Sequence, residues 1–401
     1  VKAKTLWHLL GSGGYRVGVF NVPTVYPPVQ VNGFLVCGAL TPQGANEFTY
    51  PKDLKQEILS IVPEYKCEID FAQMDLDRLA TQLMASIENR EKLLLHFLER
   101  KPWDLFFGVF TETDLAQHKF WACIDKAHPD HGRFNTSFGE FVYEIYERLD
   151  RSVGALVDAA PEDTTVFIVS DHGFGPFYQA FSFEKWLADN GFLVIQEPFF
   201  RKSAKKLLGF AGFTDGAKKL RDRMGYLKRR MKGEASVRGL RERDVQLSRR
   251  SARRIAWEKT QAYFTADYGI RINLCGREPE GIVSPGPEED RIKEKIKREL
   301  TALRYSNGEP VFEAVLTKEE AFSGPFVSDA PDIIVPINHA GAPPLPEKWG
   351  YTLTHPTLKG NHTPYGILIG RGPDVKKDHR LERASIMDIT PTILCLFEEA
   401  P

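Results

Sequence analysis

Apolar residues recur along this chain in two rhythms, short unbroken runs and longer stretches in which they return every three or four positions. Val17 to Asn21, Leu105 to Phe110 and Val166 to Val169 are runs of strand length, and Ile270 to Leu274, Ile333 to Ile337 and Gly366 to Ile369 are later candidates. Asp75 to Glu99 reads as a long amphipathic helix, and Phe138 to Ala159 as another, with Phe141, Ile145, Leu149, Val153 and Val157 at intervals of four. Shorter helical patterns open and close the chain at Thr5 to Leu10 and Ile386 to Phe397. This β-α-β-α order predicts an α/β fold: a mostly parallel central sheet with helices on both faces.

The 401 residues, 42% of them hydrophobic and 27% charged, are enough to bury a large core in one big α/β domain with insertions, or in two domains. No apolar run reaches the roughly eighteen residues of a membrane span. The five cysteines, Cys37, Cys67, Cys123, Cys275 and Cys395, are odd in number and scattered. That pattern argues against a disulfide framework and against a cysteine zinc site; it predicts buried free thiols and leans towards the cytoplasm. One stretch breaks the composition: residues 201–254 hold nineteen Lys or Arg against five Asp or Glu, in a chain whose formal charge is −1. Its sparse apolar residues, Leu207, Leu208, Phe210, Phe213, Leu220, Met224, Leu227 and Met231, have roughly helical spacing and predict a helical insertion. Such a segment suits a solvated hairpin, a lid over an anionic substrate or an anionic membrane surface. Nucleic acid is disfavoured, because aromatic residues are not interleaved for base stacking. The expected organisation is a core over 1–200, the basic insertion over 201–254, and the rest of the core over 255–401 with a small subdomain near 270–345. The start at Val1, with no initiator Met, and the stop at Pro401 read as a fragment.

Three apolar segments adjoin residues of the kinds that hold zinc or manganese: Asp114 and His118, Asp171 and His172, and His362. Asp114 and His118 are four apart, so one helical turn turns both towards one point. Asp171 and His172 follow the run Val166 to Val169 directly, where open α/β sheets collect their sites. Adjacent residues reach one cation only if the backbone bends, and Gly173 and Gly175 offer that freedom. His362 precedes the run Tyr365 to Ile369. Other polar residues read as structural: His128, Asp130 and His131 as surface residues of a polar loop, Asn273 and Gly276 to Gly281 as a turn, Asp332 and Asp388 as caps, and Tyr26 to Pro28 as a turn. His355 is a candidate outer-shell or substrate contact.

Together these stretches resemble the alkaline phosphatase superfamily and, within it, the type I phosphodiesterase and nucleotide pyrophosphatase family. The resemblance is carried by Asn21 to Pro28 with Val31 to Gly33, Asp114 to His118, Ser170 to Phe174, Asn273 with Gly276 to Gly281, Ala330 to Asp332, Gly360 to His362 and Asp388 to Thr392. It implies a two-metal hydrolase of phosphoric esters, with zinc the first choice of cation and manganese the second. Asp114, His118 and His362 would hold one cation and Asp171 and His172 the other. It also implies a Thr or Ser nucleophile and a further aspartate, both expected upstream of Val1, so the fragment alone is expected to be inactive; Thr5 lies too close to the Val17 run to be that nucleophile. A phosphomonoesterase, a sulfatase, a phosphoglycerate mutase-like enzyme and a non-catalytic metal-binding or membrane-surface protein are the alternatives. Three histidines suit softer cations than the calcium of sulfatases.

Overall fold

Strand β1, Val17–Val22, is buried along nearly its whole length, because it has a parallel neighbour on each side and apolar residues on both faces. Its neighbours are β2, Gly33–Cys37, and β4, Leu105–Gly108, while the short β3, Thr49–Tyr50, closes the far side antiparallel to β2. Gly33 is required where β2 begins: its φ is +139°, and a Cβ there would stand 2.2 Å from the Val17 carbonyl. The computed structural model describes residues 3–69, 74–133, 138–196, 255–265, 269–305, 307–336, 352–353 and 358–398. The basic stretch 201–254 and His355 lie outside the described residues.

The chain divides into two units, Val1–Tyr178 with His339–Ala342 and His355–Pro401, and Gln179–Asn338 with Pro343–Thr354. In the first, helix α3, Leu76–Arg100, starts where the Asp75 carboxylate accepts the Arg78 amide at 2.8 Å, a cap of ~1 kcal/mol. Its buried stripe passes through Leu79, Leu83, Ile87, Arg90, Leu94 and Phe97 at helical spacing. The N-terminal half of that stripe packs with α4, Glu112–Ile124, and α5, Phe141–Ala159, through Leu115, Phe120, Phe141 and Ile145. The C-terminal half packs under the sheet with Phe20, Phe34 and Leu35. Arg90 stands between the two clusters.

Parallel pairing among the described strands is confined to β2, β1 and β4. Strand β5, Val166–Val169, pairs antiparallel with β14, Leu368–Arg371, and β6, Gly173–Pro176, pairs antiparallel with β13, Gly360–Thr363. Thus β4 and β5 each have a single partner among the described strands. The runs at Ile270 and Ile333 join a separate antiparallel sheet in the second unit, ordered β10 (Leu316–Thr317), β11 (Ile333–Ile334), β9 (Gly269–Ile272) and β8 (Ala262–Thr265). The link from β8 to β9 is too short for a parallel crossover, so that pair must be antiparallel.

Two buried polar residues brace this second sheet. The Asn273 amide donates to the carbonyls of Trp257, Thr260 and Glu280, which gives the structural role expected of it. Asp332 is more than the predicted cap: its buried carboxylate accepts two bonds from Arg277, both at 2.7 Å, one from Lys318 at 3.0 Å and the Ile272 amide at 2.7 Å. Asp388 does cap, accepting the Ser385 amide. The cysteines are unpaired, and burial pushes the Cys37 thiol up to about 12, but Cys275 and Cys395 are exposed rather than buried. No described helix is long and apolar enough to cross a membrane.

Candidate metal centre

The candidate ligands are carried by three separate pieces of the first unit. Asp114 and His118 lie one turn apart on α4, His172 ends the segment between β5 and β6, and His362 is in β13. Pairing of β13 with β6 places His362 opposite Phe174. The ligand atoms of Asp114, His172 and His362 all fall within 4.8 Å of one another. His362 Nε2 is 3.0 Å from Asp114 Oδ1 and 3.0 Å from His118 Nε2, and His172 Nε2 is 3.8 Å from Asp114 Oδ1. The His172 and His362 rings stack at 3.6 Å.

Tautomers follow from the outward nitrogens. His118 Nδ1 donates to the Gly360 carbonyl at 2.9 Å and His172 Nδ1 to the Gly173 carbonyl at 3.1 Å. A carbonyl can only accept, so each neutral ring keeps its proton on Nδ1 and turns the Nε2 lone pair inwards. Lone pairs from imidazoles and a carboxylate, gathered at 3 to 4 Å, repel one another unless something positive lies between them. The donor set therefore fits a divalent cation of the zinc or manganese kind.

Two glycines permit the approach. A Cβ on Gly360 would lie 2.5 Å from the Gln117 carbonyl of α4, and one on Gly173 would lie 2.0 Å from the Tyr365 carbonyl. Gly173 thus serves close packing inside a strand, rather than the sharp bend expected from the sequence. Asp171 is the outlying candidate: its side chain is 81% exposed, and its Oδ2 is 3.5 Å from His172 Nε2. The expected grouping placed His172 with Asp171; here His172 also meets Asp114 and His362.

Sequence reasoning assigned no role to Phe174, although it belongs to the Ser170 to Phe174 motif. Its ring lies edge-on to His118 at 4.8 Å and to His362 at 5.1 Å, and 5.7 Å from His172, with Trp121 stacked on its other side. It forms an apolar wall behind the imidazoles. His128, expected at the surface, is buried; its Nε2 lies 3.2 Å from the Phe177 carbonyl and its Nδ1 accepts the Asp130 amide. It belongs to the loop lacing, together with the Lys359–Asp130 ion pair at 2.6 Å.

Burial pulls His118 below the ordinary imidazole value, against the raising influence of Asp114 and the Gly360 carbonyl. Burial pushes Asp114 up, but the His362 hydrogen bond and the neighbouring imidazoles outweigh it and hold the carboxyl below its usual range. The folded chain thus keeps His118 neutral at a pH where the unfolded chain has begun to protonate it, so unfolding takes up a proton. Stability of the metal-free protein is expected to fall as pH drops below about 6.5, where unfolded histidine titrates. Burial lowers His128 as well and adds to the same slope. Urea midpoints at pH 7.5 and 5.5 should differ less in His118→Gln than in the wild type; an equal difference would clear His118 of the effect.

The model of the family described as type I phosphodiesterase / nucleotide pyrophosphatase matches residues 1–364. No curated protein and no solved structure matches.

Proposed function

The chain belongs to the type I phosphodiesterase / nucleotide pyrophosphatase family, and from that premise we propose that it supplies the cation-binding part of a two-metal phosphodiesterase or nucleotide pyrophosphatase. The convergence of Asp114, His172 and His362 within 4.8 Å carries the reading. Asp114, His118 and His362 are assigned to one cation, and Asp171 and His172 to its neighbour. Zinc suits three imidazoles best, and manganese is the second choice.

A bound cation pair neutralises the attacking and leaving oxygens of a phosphoric ester and lowers the pKa of a hydroxyl at neutral pH. The protein's own contribution is positional. The Gly360 and Gly173 carbonyls fix the His118 and His172 rings with Nε2 inwards, and Phe174 excludes water from behind them. Exposed Asp171 and half-exposed His362 leave the outer side open to a small phosphoric ester. The Thr or Ser nucleophile of the proposed phospho-enzyme is not assigned to a residue of this chain. We assign the α/β core to 1–200 and 255–401, with a small subdomain near 270–345 and the basic stretch 201–254 inserted between, its charge suited to an anionic membrane surface.

Hydrolysis of bis-p-nitrophenyl phosphate tests the reading. The full-length protein should cleave the diester only with zinc or manganese added. Asp171→Ala in that protein should lower the rate by at least tenfold. No cleavage with either cation, or full cleavage in their absence, rules the proposal out.

A further inference from the structure

Helix α3 carries a charge in the middle of its apolar stripe, and that charge points at the start of the ligand-bearing helix. Arg90 Nε lies 2.7 Å from Glu112 Oε1, with the two side chains 2% and 0% exposed. The same carboxylate oxygen accepts the Ser86 hydroxyl at 2.5 Å, and Arg90 Nε also donates to Ser86 Oγ at 3.3 Å. Arg90 Nη1 donates to the Val109 carbonyl at 3.3 Å, which also accepts the Asn21 amide from β1 at 2.8 Å. Thr111, at the N-cap of α4, makes no side-chain capping bond. The crossover from β4 into α4 is therefore held by side chains from α3 and β1 instead of by its own cap.

Stability alone does not account for this arrangement. Two buried charges usually cost about as much in lost hydration as their attraction returns, and well-packed apolar residues commonly do as well or better. Here Glu112 Oε2 has no hydrogen-bond partner among the described residues, which adds a penalty. What the pair does supply is direction. It fixes the first residue of α4, two positions before Asp114 and six before His118, on the rigid scaffold of α3.

We propose that Arg90, Glu112 and Ser86 form a positioning strut that sets the placement of Asp114 and His118 and so tunes cation affinity. The inference rests on the metal-binding reading above. Glu112 and Arg90 touch neither substrate nor cation; they act through the helix.

The test separates affinity from stability. Arg90→Met with Glu112→Leu replaces the pair by apolar residues of similar size, and zinc affinity is read by competition with a chromophoric chelator. The double variant is expected to melt, metal-free, at or above the wild-type temperature, yet to bind zinc at least tenfold more weakly. Ser86→Ala should weaken zinc binding about threefold, a loss of one modest hydrogen bond, while Ser86→Thr, which keeps the hydroxyl, stays at the wild-type value. A folded double variant that binds zinc within a factor of two of the wild type overturns the strut. If the double variant does not fold, unchanged affinity in Ser86→Ala overturns it equally. Wild-type protein that binds no zinc overturns the metal reading and the strut together.

Discussion

Replacing His362 by alanine is expected to abolish tight cation binding while leaving the fold intact. The residue is 46% exposed, and its imidazole touches Asp114 and His118 at 3.0 Å each, so it joins the helix ligands to the β13 strand. Loss of a mere outer-shell partner costs ~10–100-fold in metal affinity, and loss of a direct ligand should cost at least the upper figure. An exposed position away from the core changes stability by only about ±0.5 kcal/mol. Zinc titration of wild type and variant, with a metal-free melting curve of each, checks both halves. Retained affinity removes His362 from the ligand set; a collapsed melting temperature makes it structural.

The second large effect is expected far from the cation. Asp332→Ala strips the second unit of the carboxylate that accepts from Arg277, Lys318 and the Ile272 amide. Breaking a buried ion pair by deleting one member costs ~3–5 kcal/mol, because the remaining charge is stranded. Arg277 and Lys318 keep 26% and 15% of their side-chain exposure and recover some hydration, so the low end of that range applies. Hydrogen exchange should show the loss locally. Amides of Ile270, Ile272 and Ile333 are expected to lose protection while those of Val19 and Leu35 keep it. Unchanged exchange at Ile272 would show that the carboxylate contributes little.

The legibility of this chain varied with the force that holds each element. Helices over Leu76–Arg100 and Phe141–Ala159 were readable because a single apolar stripe decides them, and β1 and β5 because short apolar runs do. Strands β6 and β13 carry no such rhythm. Gly173, Gly175, Gly360 and Asn361 offer almost no apolar side chain, and the pair forms through backbone bonds and close approach. That is why His362 was expected ahead of a strand, before the run Tyr365 to Ile369, when it is inside one. Antiparallel pairing of Leu368–Arg371 with β5 was hidden for another reason, since direction is set by how the chain returns and the run itself carries no sign. Asp332 looked like a cap because its partner Arg277 is fifty-five positions away.

Among the candidate ligands, Asp114 and His118 were legible from their four-residue spacing, which the helix turns directly into proximity. The meeting of Asp114 with His172 was not, because it depends on where β5 ends relative to α4. The roles of Phe174, Gly360 and the Arg90–Glu112 pair had weak signals at best. Arg90 was the most accessible of them: an arginine in phase with Leu83, Ile87, Leu94 and Phe97 contradicts its own stripe, and such contradictions mark positions that do something other than pack.

The contact between His362 and Asp114 spans 248 positions of sequence, with the whole second unit threaded between them. Closing so long a loop carries an entropy cost that local contacts do not. The cluster of ligand atoms is complete only once β13, which carries His362, has found its place. A cation held jointly by Asp114, His172 and His362 would act as a reversible cross-link across that loop. Under the proposed reading it would bind the folded chain in preference to the unfolded one and shift the unfolding equilibrium with the free cation concentration, so cation supply would tune the stability of the folded protein as well as its chemistry.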